Sequence, residues 1–115
     1  KDPMNSNHAF HKGIDLAGWH KTEIFAPADA VVLRAGRNGG YGNFIELEHK
    51  NGLVTRFGHL NKIKVKKGQQ ITKHDIIGLM GSTGRSTGTH LHYEVLLNGK
   101  QVNPLKITKA LSRVW

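Results

Sequence analysis

Three short motifs in the sequence contain side chains that can bind a metal ion. The first is an H-x-x-x-D pair, the second is a histidine that follows Phe-Gly, and the third is an H-x-H pair. Their metal-binding side chains are His11 and Asp15, His59, and His90 and His92. A catalytic zinc ion binds imidazole nitrogen and carboxylate oxygen through three protein ligands and leaves a fourth position open for water. The motifs therefore predict a zinc-dependent hydrolase with more imidazoles than the metal needs as ligands.

The spacing within each pair allows both side chains to reach one pocket. Residues two apart in a strand point to the same face, so His90 and His92 would share a face, with Leu91 on the other. His11 and Asp15 are four apart and share a face in a strand and in a helix, and the glycine between them favours a loop that runs into a strand. Spacing alone leaves open whether His90 or His92 is the ligand.

Each motif by itself also has an ordinary structural explanation. A single H-x-x-x-D or H-x-H pair arises by chance, and a histidine after a strand, such as His59, is commonly a surface or core residue. Three such motifs in a chain of 115 residues exceed what eight scattered histidines should produce. We therefore favour one metal site over three unrelated structural histidines.

The composition is that of one small domain with a basic surface. A chain of 115 residues fits one domain with a modest core. The sequence contains no run of eighteen apolar residues, which is the length that a membrane-spanning helix needs. The absence of cysteine excludes disulfides, thiolate ligands and a thiol nucleophile. A net charge of +9 favours polyanionic partners such as nucleic acid, anionic lipid or a cell wall. Aromatic residues are only 7% of the chain and do not alternate with basic ones, which disfavours a dedicated nucleic-acid binder.

The pattern of apolar residues predicts a β-rich fold. Short apolar or alternating runs predict strands over 30–35, 44–49, 53–57, 76–81, 93–97 and 100–102. Asn51-Gly52 and Asn98-Gly99 predict hairpins, the first with a type I′ turn. Alternation from 44 to 48 places Phe44 and Glu46 on one face and Ile45 and Leu47 on the other.

The remaining segments are predicted to be loops, one edge strand and one helix. The glycine-rich stretches 38–43 and 81–89 would either line a groove or form ordinary turns. Lysines alternate with Ile63 and Val65 over 62–67, a pattern that is more typical of a protected edge strand than of a binding strip. Only residues 104–115 have the apolar spacing of a helix.

In their order along the chain, these motifs resemble those of the lysostaphin/LytM-type zinc metallopeptidases, bacterial enzymes that cut peptide bonds in peptidoglycan. The similarity extends from His11 to Pro104 and includes segments 11–15, 26–29, 40–43, 57–60, 81–88 and 90–94. It implies a mainly antiparallel β-sheet groove closed by loops, with a short C-terminal helix. Residues 1–115 would form one catalytic domain that lacks its first residues. We expect the chain to be a mature product or an excised domain, with a signal or anchor upstream of Lys1.

The resemblance also implies roles for single residues around one zinc ion per chain. They are the ligands His11, Asp15 and His92, the catalytic histidines His59 and His90 beside the reactive water, and the substrate contacts Tyr41 and Asn43. In the H-x-H pair the resemblance selects His92 as the ligand. Glu94 shares a face with His92 and could be either its hydrogen-bond partner or a cross-strand residue.

The function that the resemblance implies is zinc-dependent hydrolysis of peptide bonds in peptidoglycan cross-links or stem peptides. We expect a monomer that acts outside the cytoplasm, in the periplasm, in the cell envelope or after secretion, with peptidoglycan as its partner and no specific nucleic acid. One alternative is a non-catalytic LytM-like module that regulates a partner hydrolase, but the whole implied ligand set is present. Another is a lipoyl-like carrier domain, which shares the glycine-punctuated run at 76–81 but needs no histidine cluster. Which bond is cut stays open.

Overall fold

Two antiparallel sheets form the regular structure of residues 14–17, 21–81 and 90–102, which are the residues that this computed structural model describes. For residues 14–17 and His90 the description is of the backbone. The strands are β1 (Ile14–Ala17), β2 (Glu23–Phe25), β3 (Ala30–Arg37), β4 (Asn43–Glu48), β5 (Leu53–Gly58), β6 (Leu60–Ile63), β7 (Gln70–Ile71), β8 (Ile76–Met80), β9 (His90–Leu97) and β10 (Lys100–Val102). Single 3₁₀ turns lie at Gly39–Tyr41 and Lys50–Gly52.

The larger sheet has seven strands in the order β1-β9-β5-β4-β3-β7, with β10 also paired to β9. The smaller sheet has the order β2-β8-β6. Every pairing is antiparallel, which confirms the predicted mainly antiparallel β fold. The helix predicted over 104–115 lies outside the described residues. No helix in the described part of the chain is long and apolar enough to cross a membrane.

Both predicted hairpins are present, and their tips touch. Asn51 and Gly52 have φ values of 62° and 77°, as a type I′ turn requires, and Asn98 and Gly99 have 53° and 83°. The backbone N–H of Asn98 donates to the carbonyl of Gly52 over 2.9 Å. The backbone N–H of His49, and not that of Lys50, donates to the carbonyl of Leu53. The first loop is therefore three residues long, one more than a two-residue turn.

The core lies between the two sheets, because its members come from both. They are Ile24, Ala26, Ala30, Val32, Ile45, Leu47, Phe57, Leu60, Val65, Ile71, Ile77, Met80 and Leu91. The alternation predicted for β4 is observed, with Ile45 and Leu47 in this core. Phe44 and Glu46 are buried as well, on the opposite face of the larger sheet. That opposite face also holds the candidate functional residues described below.

The lysine-rich segment forms a shorter edge strand than its pattern predicts. Strand β6 is at the edge of the smaller sheet but ends at Ile63, so the prediction of a strand over 64–67 is wrong. The chain leaves the sheet there to turn at Gly68, which has a φ of 87°. The lysines are exposed and Val65 is buried. The strand predicted over 76–81 is present as β8, the central strand of the same sheet; Ile77 and Met80 are buried as predicted, but Ile76 at its start is exposed.

Gly78 in β8 allows the close approach of β6, and its replacement should destabilise the fold. A Cβ atom added there would lie 2.7 Å from the carbonyl oxygen of Lys62, and a backbone atom can move away only by disturbing the strand pairing. We expect Gly78→Ala to lower the free energy of unfolding by about 1–3 kcal/mol, as overpacking does. Gly58→Ala is the comparison, because its nearest contact is 3.2 Å. Urea unfolding that gave equal losses for both variants would contradict this explanation.

His49 has a structural role away from the metal motifs. It is 7% exposed, its Nδ1 lies 2.9 Å from the carbonyl oxygen of Asp29, and its Nε2 lies 2.8 Å from the hydroxyl of Thr55. A carbonyl only accepts, so Nδ1 holds the proton and Nε2 accepts from the hydroxyl. Burial lowers the pKa of His49 and outweighs the opposing effect of the bond to Asp29.

The depressed pKa of His49 predicts a loss of stability in mild acid. The unfolded histidine takes up a proton near pH 6.5 while the folded one stays neutral, so this stabilisation is complete above roughly pH 6.5 and declines as the pH falls towards the folded pKa. We expect His49→Gln to flatten the decline in unfolding free energy between about pH 7 and 5, by at most about 1.4 kcal/mol per pH unit for one proton. Urea titrations at several pH values measure it. Parallel pH profiles of the two proteins would count against this role.

Candidate metal centre

Strand register places Asp15 on one side of His92 and Gly58, the residue before His59, on the other. In the β1–β9 pairing Asp15 lies opposite His92, and in the β5–β9 pairing Gly58 lies opposite the same His92. Directly opposed residues in antiparallel strands have Cα atoms roughly 4.5–5.5 Å apart. His90 begins β9 and pairs with Ala17. His11 lies outside the described residues.

His59 stands beside His92 in an unusual backbone conformation. The two imidazole centres are 5.8 Å apart. His59 has a φ of 63°, in the left-handed region that non-glycine residues rarely adopt. Its backbone N–H donates to the carbonyl of Tyr41 over 2.6 Å. A Cβ atom added at Gly58 would lie 3.2 Å from a ring carbon of Tyr41, so glycine at this position leaves room for the Tyr41 ring.

A buried carboxylate, Glu94, holds His92. Glu94 is 2% exposed, and its Oε2 atom lies 2.8 Å from Nε2 of His92. The hydroxyl of Tyr41 donates to both carboxylate oxygens over 3.0 and 3.1 Å. Arg56 and Gln101 donate to Oε1 over 3.3 and 3.2 Å. Each carboxylate oxygen therefore has several donors, as a buried charge requires.

These donors keep Glu94 ionised. Burial alone would raise the pKa of Glu94, but the hydrogen bonds from His92, Tyr41 and Arg56 outweigh burial and lower that pKa below its usual range. A carboxylate only accepts, so the Nε2 atom of His92 is the protonated nitrogen. In the neutral imidazole the lone pair is then on Nδ1, which is the nitrogen that can bind a metal.

The polar network continues across β5 to β4. The Nε atom of Arg56 lies 2.6 Å from Glu46, and the same guanidinium reaches Glu94. Burial would lower the pKa of Arg56, but the two carboxylates outweigh it, and the pKa is raised. Burial and the neighbouring Glu94 carboxylate raise the pKa of Tyr41, so its phenol remains a donor.

Tyr41 and Asn43, the predicted substrate contacts, both have partners within the fold. The Tyr41 ring packs against Phe44 at 4.7 Å and His92 at 5.9 Å between ring centres. The amide nitrogen of Asn43 donates to the carbonyl of Leu60 over 2.9 Å, which ties the start of β4 to the residue after His59. Substrate contact by either residue stays a prediction.

The structure thus brings His59, His92 and Tyr41 together, and it adds partners that the sequence analysis missed. Those additional residues are Arg56, Glu46 and Gln101. The available signal was the i, i+2 spacing of His92 and Glu94 together with oppositely charged residues in the adjacent predicted strands. Among the described side chains no group of three metal-binding residues occurs; the side chains of His11, Asp15 and His90 are not among them.

Comparison with known proteins gives consistent matches. Peptidase family M23 matches residues 9–104. The peptidoglycan DD-endopeptidase ShyA of Vibrio cholerae is 41% identical over 104 residues, which make up 90% of this chain but only 24% of ShyA, so the chain spans about a quarter of that relative. A zinc-containing peptidase from Vibrio cholerae has a TM-score of 0.76 at 39% identity, covering 80% of this chain and 28% of the other. The catalytic domain of lysostaphin from Staphylococcus simulans has a TM-score of 0.80 at 32% identity, covering 93% and 85% of the two chains.

Proposed function

Because the chain belongs to peptidase family M23, we propose that it is a zinc-dependent endopeptidase that hydrolyses peptide bonds in peptidoglycan cross-links or stem peptides. The lysostaphin/LytM-type resemblance in the motifs is confirmed by this membership. The observation that supports the proposal most directly is the adjacent pair of histidines, with His92 held by a buried carboxylate and His59 at 5.8 Å from it. We place its action outside the cytoplasm, where peptidoglycan is found, and expect a monomer.

The residues present fit a zinc ion. Glu94 accepts from Nε2 of His92 and so presents Nδ1 as the donor atom, as carboxylates beside zinc-binding histidines do. Asp15 lies opposite His92 in the sheet, and a carboxylate with imidazoles is a donor set that zinc accepts. The proposed ligands are His11, Asp15 and His92. When bound there, zinc supplies a water of lowered pKa and polarises the scissile carbonyl.

The remaining residues position the substrate and move protons. His59 and His90 would together take the proton from the attacking water, return it to the leaving amine and hydrogen-bond the developing oxyanion. The backbone bond to Tyr41 fixes the position of His59. The Tyr41 ring packs between His92 and Phe44, and we predict that it contacts an extended peptide bound beside His92.

Digestion of purified sacculi tests the proposed activity. Zinc-loaded protein should release fragments whose masses identify a cleaved peptide bond, and a chelator should abolish their release until zinc is restored. His74→Ala is the matched control, because His74 is exposed and belongs to none of the motifs; it should cut like the unmodified protein. Bound zinc without any cleavage would instead favour the non-catalytic regulatory module.

Glu94→Gln should weaken zinc binding without removing any proposed ligand. The amide keeps the size of the carboxylate but has one acceptor oxygen for four donor groups, and its NH₂ group opposes either His92 or the pair Arg56 and Gln101. We expect the zinc dissociation constant to rise by roughly 10–100-fold, the usual effect of losing a carboxylate behind a metal-binding histidine. Competition with a chromogenic chelator measures this.

The control for Glu94→Gln is Glu46→Gln. This change removes the other carboxylate partner of Arg56 without touching His92, so the zinc dissociation constant should stay within a few-fold of its original value. Equal weakening by both substitutions would mean that general loss of the network, and not the orientation of His92, determines zinc affinity.

A further inference from the structure

A pocket lined by three cations lies beside the second half of β3, beyond the two residues that pair with β7. The cavity has a volume of about 220 Å³, and Arg34, Arg37, Lys67 and Phe44 line it together with small or neutral residues. The three cationic side chains are exposed. Among the described residues, carboxylates form ion pairs with Arg56 and His92, and none pairs with a cation of this pocket.

Arg34 has an aromatic contact but no carboxylate partner within the described part of the chain. Its guanidinium carbon lies 5.4 Å from the centre of the Phe44 ring, a cation–π contact that restricts the side chain. Arg34 is opposite Glu46 in the β3–β4 register, but Glu46 is bonded to Arg56 over 2.6 Å. The nearest cross-strand acid is therefore already engaged. A guanidinium held this way can bind a carboxylate through two parallel hydrogen bonds.

A short path of aromatic rings connects this pocket to the candidate metal centre. Phe44 packs against Tyr41, and Tyr41 packs against His92, with less than 6 Å between ring centres at each step. An extended peptide advances roughly 3.4 Å per residue. At most about five residues of extended chain would therefore span the distance from the His92 ring to the Arg34 guanidinium.

We propose that this cationic pocket binds a carboxylate of the peptide substrate, several residues away from the bond that is cut. The inference rests on the proposed function, and it adds a specificity: the chain should prefer peptides with a free carboxylate at that distance. The three cations supply the charge, since no carboxylate of the described residues pairs with them, and the Arg34–Phe44 contact restricts the position of one guanidinium.

Steady-state kinetics on soluble muropeptide dimers tests the pocket. The dimers are used in native form and after conversion of their carboxylates to carboxamides. For the unmodified protein, amidation should raise KM roughly tenfold with little change in kcat, the size expected for one charged hydrogen-bonded pair. The double variant Arg34→Gln, Arg37→Gln should have the raised KM for both forms. A double variant that still discriminates between them as the unmodified protein does would overturn the proposal.

The control removes two charges elsewhere. Lys62→Gln, Lys64→Gln takes the same charge from exposed positions on and beside β6 and should keep the tenfold discrimination. Equal loss of discrimination in this control would show a general charge effect and overturn the proposal. If amidation leaves the KM of the unmodified protein unchanged, that result alone overturns the proposal.

Calorimetric binding of native and amidated dimers to metal-free protein separates this inference from the proposed function. If zinc-loaded protein cuts nothing but the pocket variant loses its preference for native dimers, the pocket stands and the activity fails. If cleavage is normal and both dimers bind equally, the activity stands and the pocket fails. A competition experiment compares inorganic phosphate with acetate at the same concentration. If phosphate displaces the native dimer and acetate does not, the pocket would be assigned to a phosphate polymer, and the proposal would be overturned.

Discussion

Replacing His92 with alanine should abolish zinc binding and peptidoglycan cleavage together. The variant loses a proposed ligand, and it also leaves the buried carboxylate of Glu94 without its bond from Nε2. Zinc content should fall from one per chain towards zero, and turnover should fall by at least roughly 10³-fold, since both the metal-bound water and carbonyl polarisation are lost. Elemental analysis and digestion of sacculi on the same preparations measure the two effects.

His92→Ala should also lower thermal stability, because bound metal stabilises the folded state by mass action. At a free zinc concentration a thousand times the dissociation constant this amounts to about 4 kcal/mol. The comparison is with unmodified protein in chelator, which separates metal loss from loss of the side chain. A His92→Ala protein that keeps one tightly bound zinc would refute the ligand assignment. If His90→Ala removes the metal instead, the roles within the H-x-H pair are reversed.

Replacing His59 with alanine should remove catalysis while the metal stays bound. His59 is predicted to act on the water or the oxyanion and not as a ligand, so zinc should remain near one per chain while turnover falls by roughly 10²–10⁴-fold. His90→Ala should behave in the same way. The double variant should lose much less than the product of the single losses if the two histidines serve one proton-transfer unit.

The measurements for His59→Ala are zinc content, thermal stability and cleavage on one preparation. His49→Gln is a useful control here, because it alters a buried histidine that bonds to Asp29 and Thr55 and not to the candidate site. It should lower stability and leave turnover per folded molecule intact. Loss of zinc in His59→Ala would make His59 a ligand and would refute the proposed division of roles.

Most of the longer strands were predictable from local pattern, but the side-chain partners across the larger sheet were not. Alternation and Asn-Gly pairs predict β4, β5, β9 and β10, and the i, i+2 spacing of His92 and Glu94 correctly suggests that these two side chains lie close together. The donors to Glu94 come from the turn at Tyr41, from β5 and from β10. The Asn98-Gly99 hairpin accounts for β10 beside β9, but only the order and register of the other strands bring Tyr41 and β5 to Glu94, and no local pattern determines these.

Register was the specific limit in the β4–β5 hairpin. A two-residue loop at Asn51-Gly52 would pair Lys50 with Leu53 and would therefore place Glu46 opposite Phe57. The observed loop includes Lys50, so Glu46 lies opposite Arg56 instead. This one-residue difference determines which side chain lies opposite Glu46, because a shift of one residue moves each side chain to the other face of the sheet.

Tyr41 makes the two histidines mechanically dependent on one short loop. Its carbonyl bonds to the backbone of His59, and its hydroxyl bonds to the carboxylate that holds His92. The loop around it contains Gly39 and Gly42, both at positive φ. A displacement of this loop would therefore misalign the proton-transfer group and the metal ligand in one movement. Sequence changes confined to the loop can consequently alter metal affinity and turnover in parallel, even where every residue that touches the substrate is unchanged.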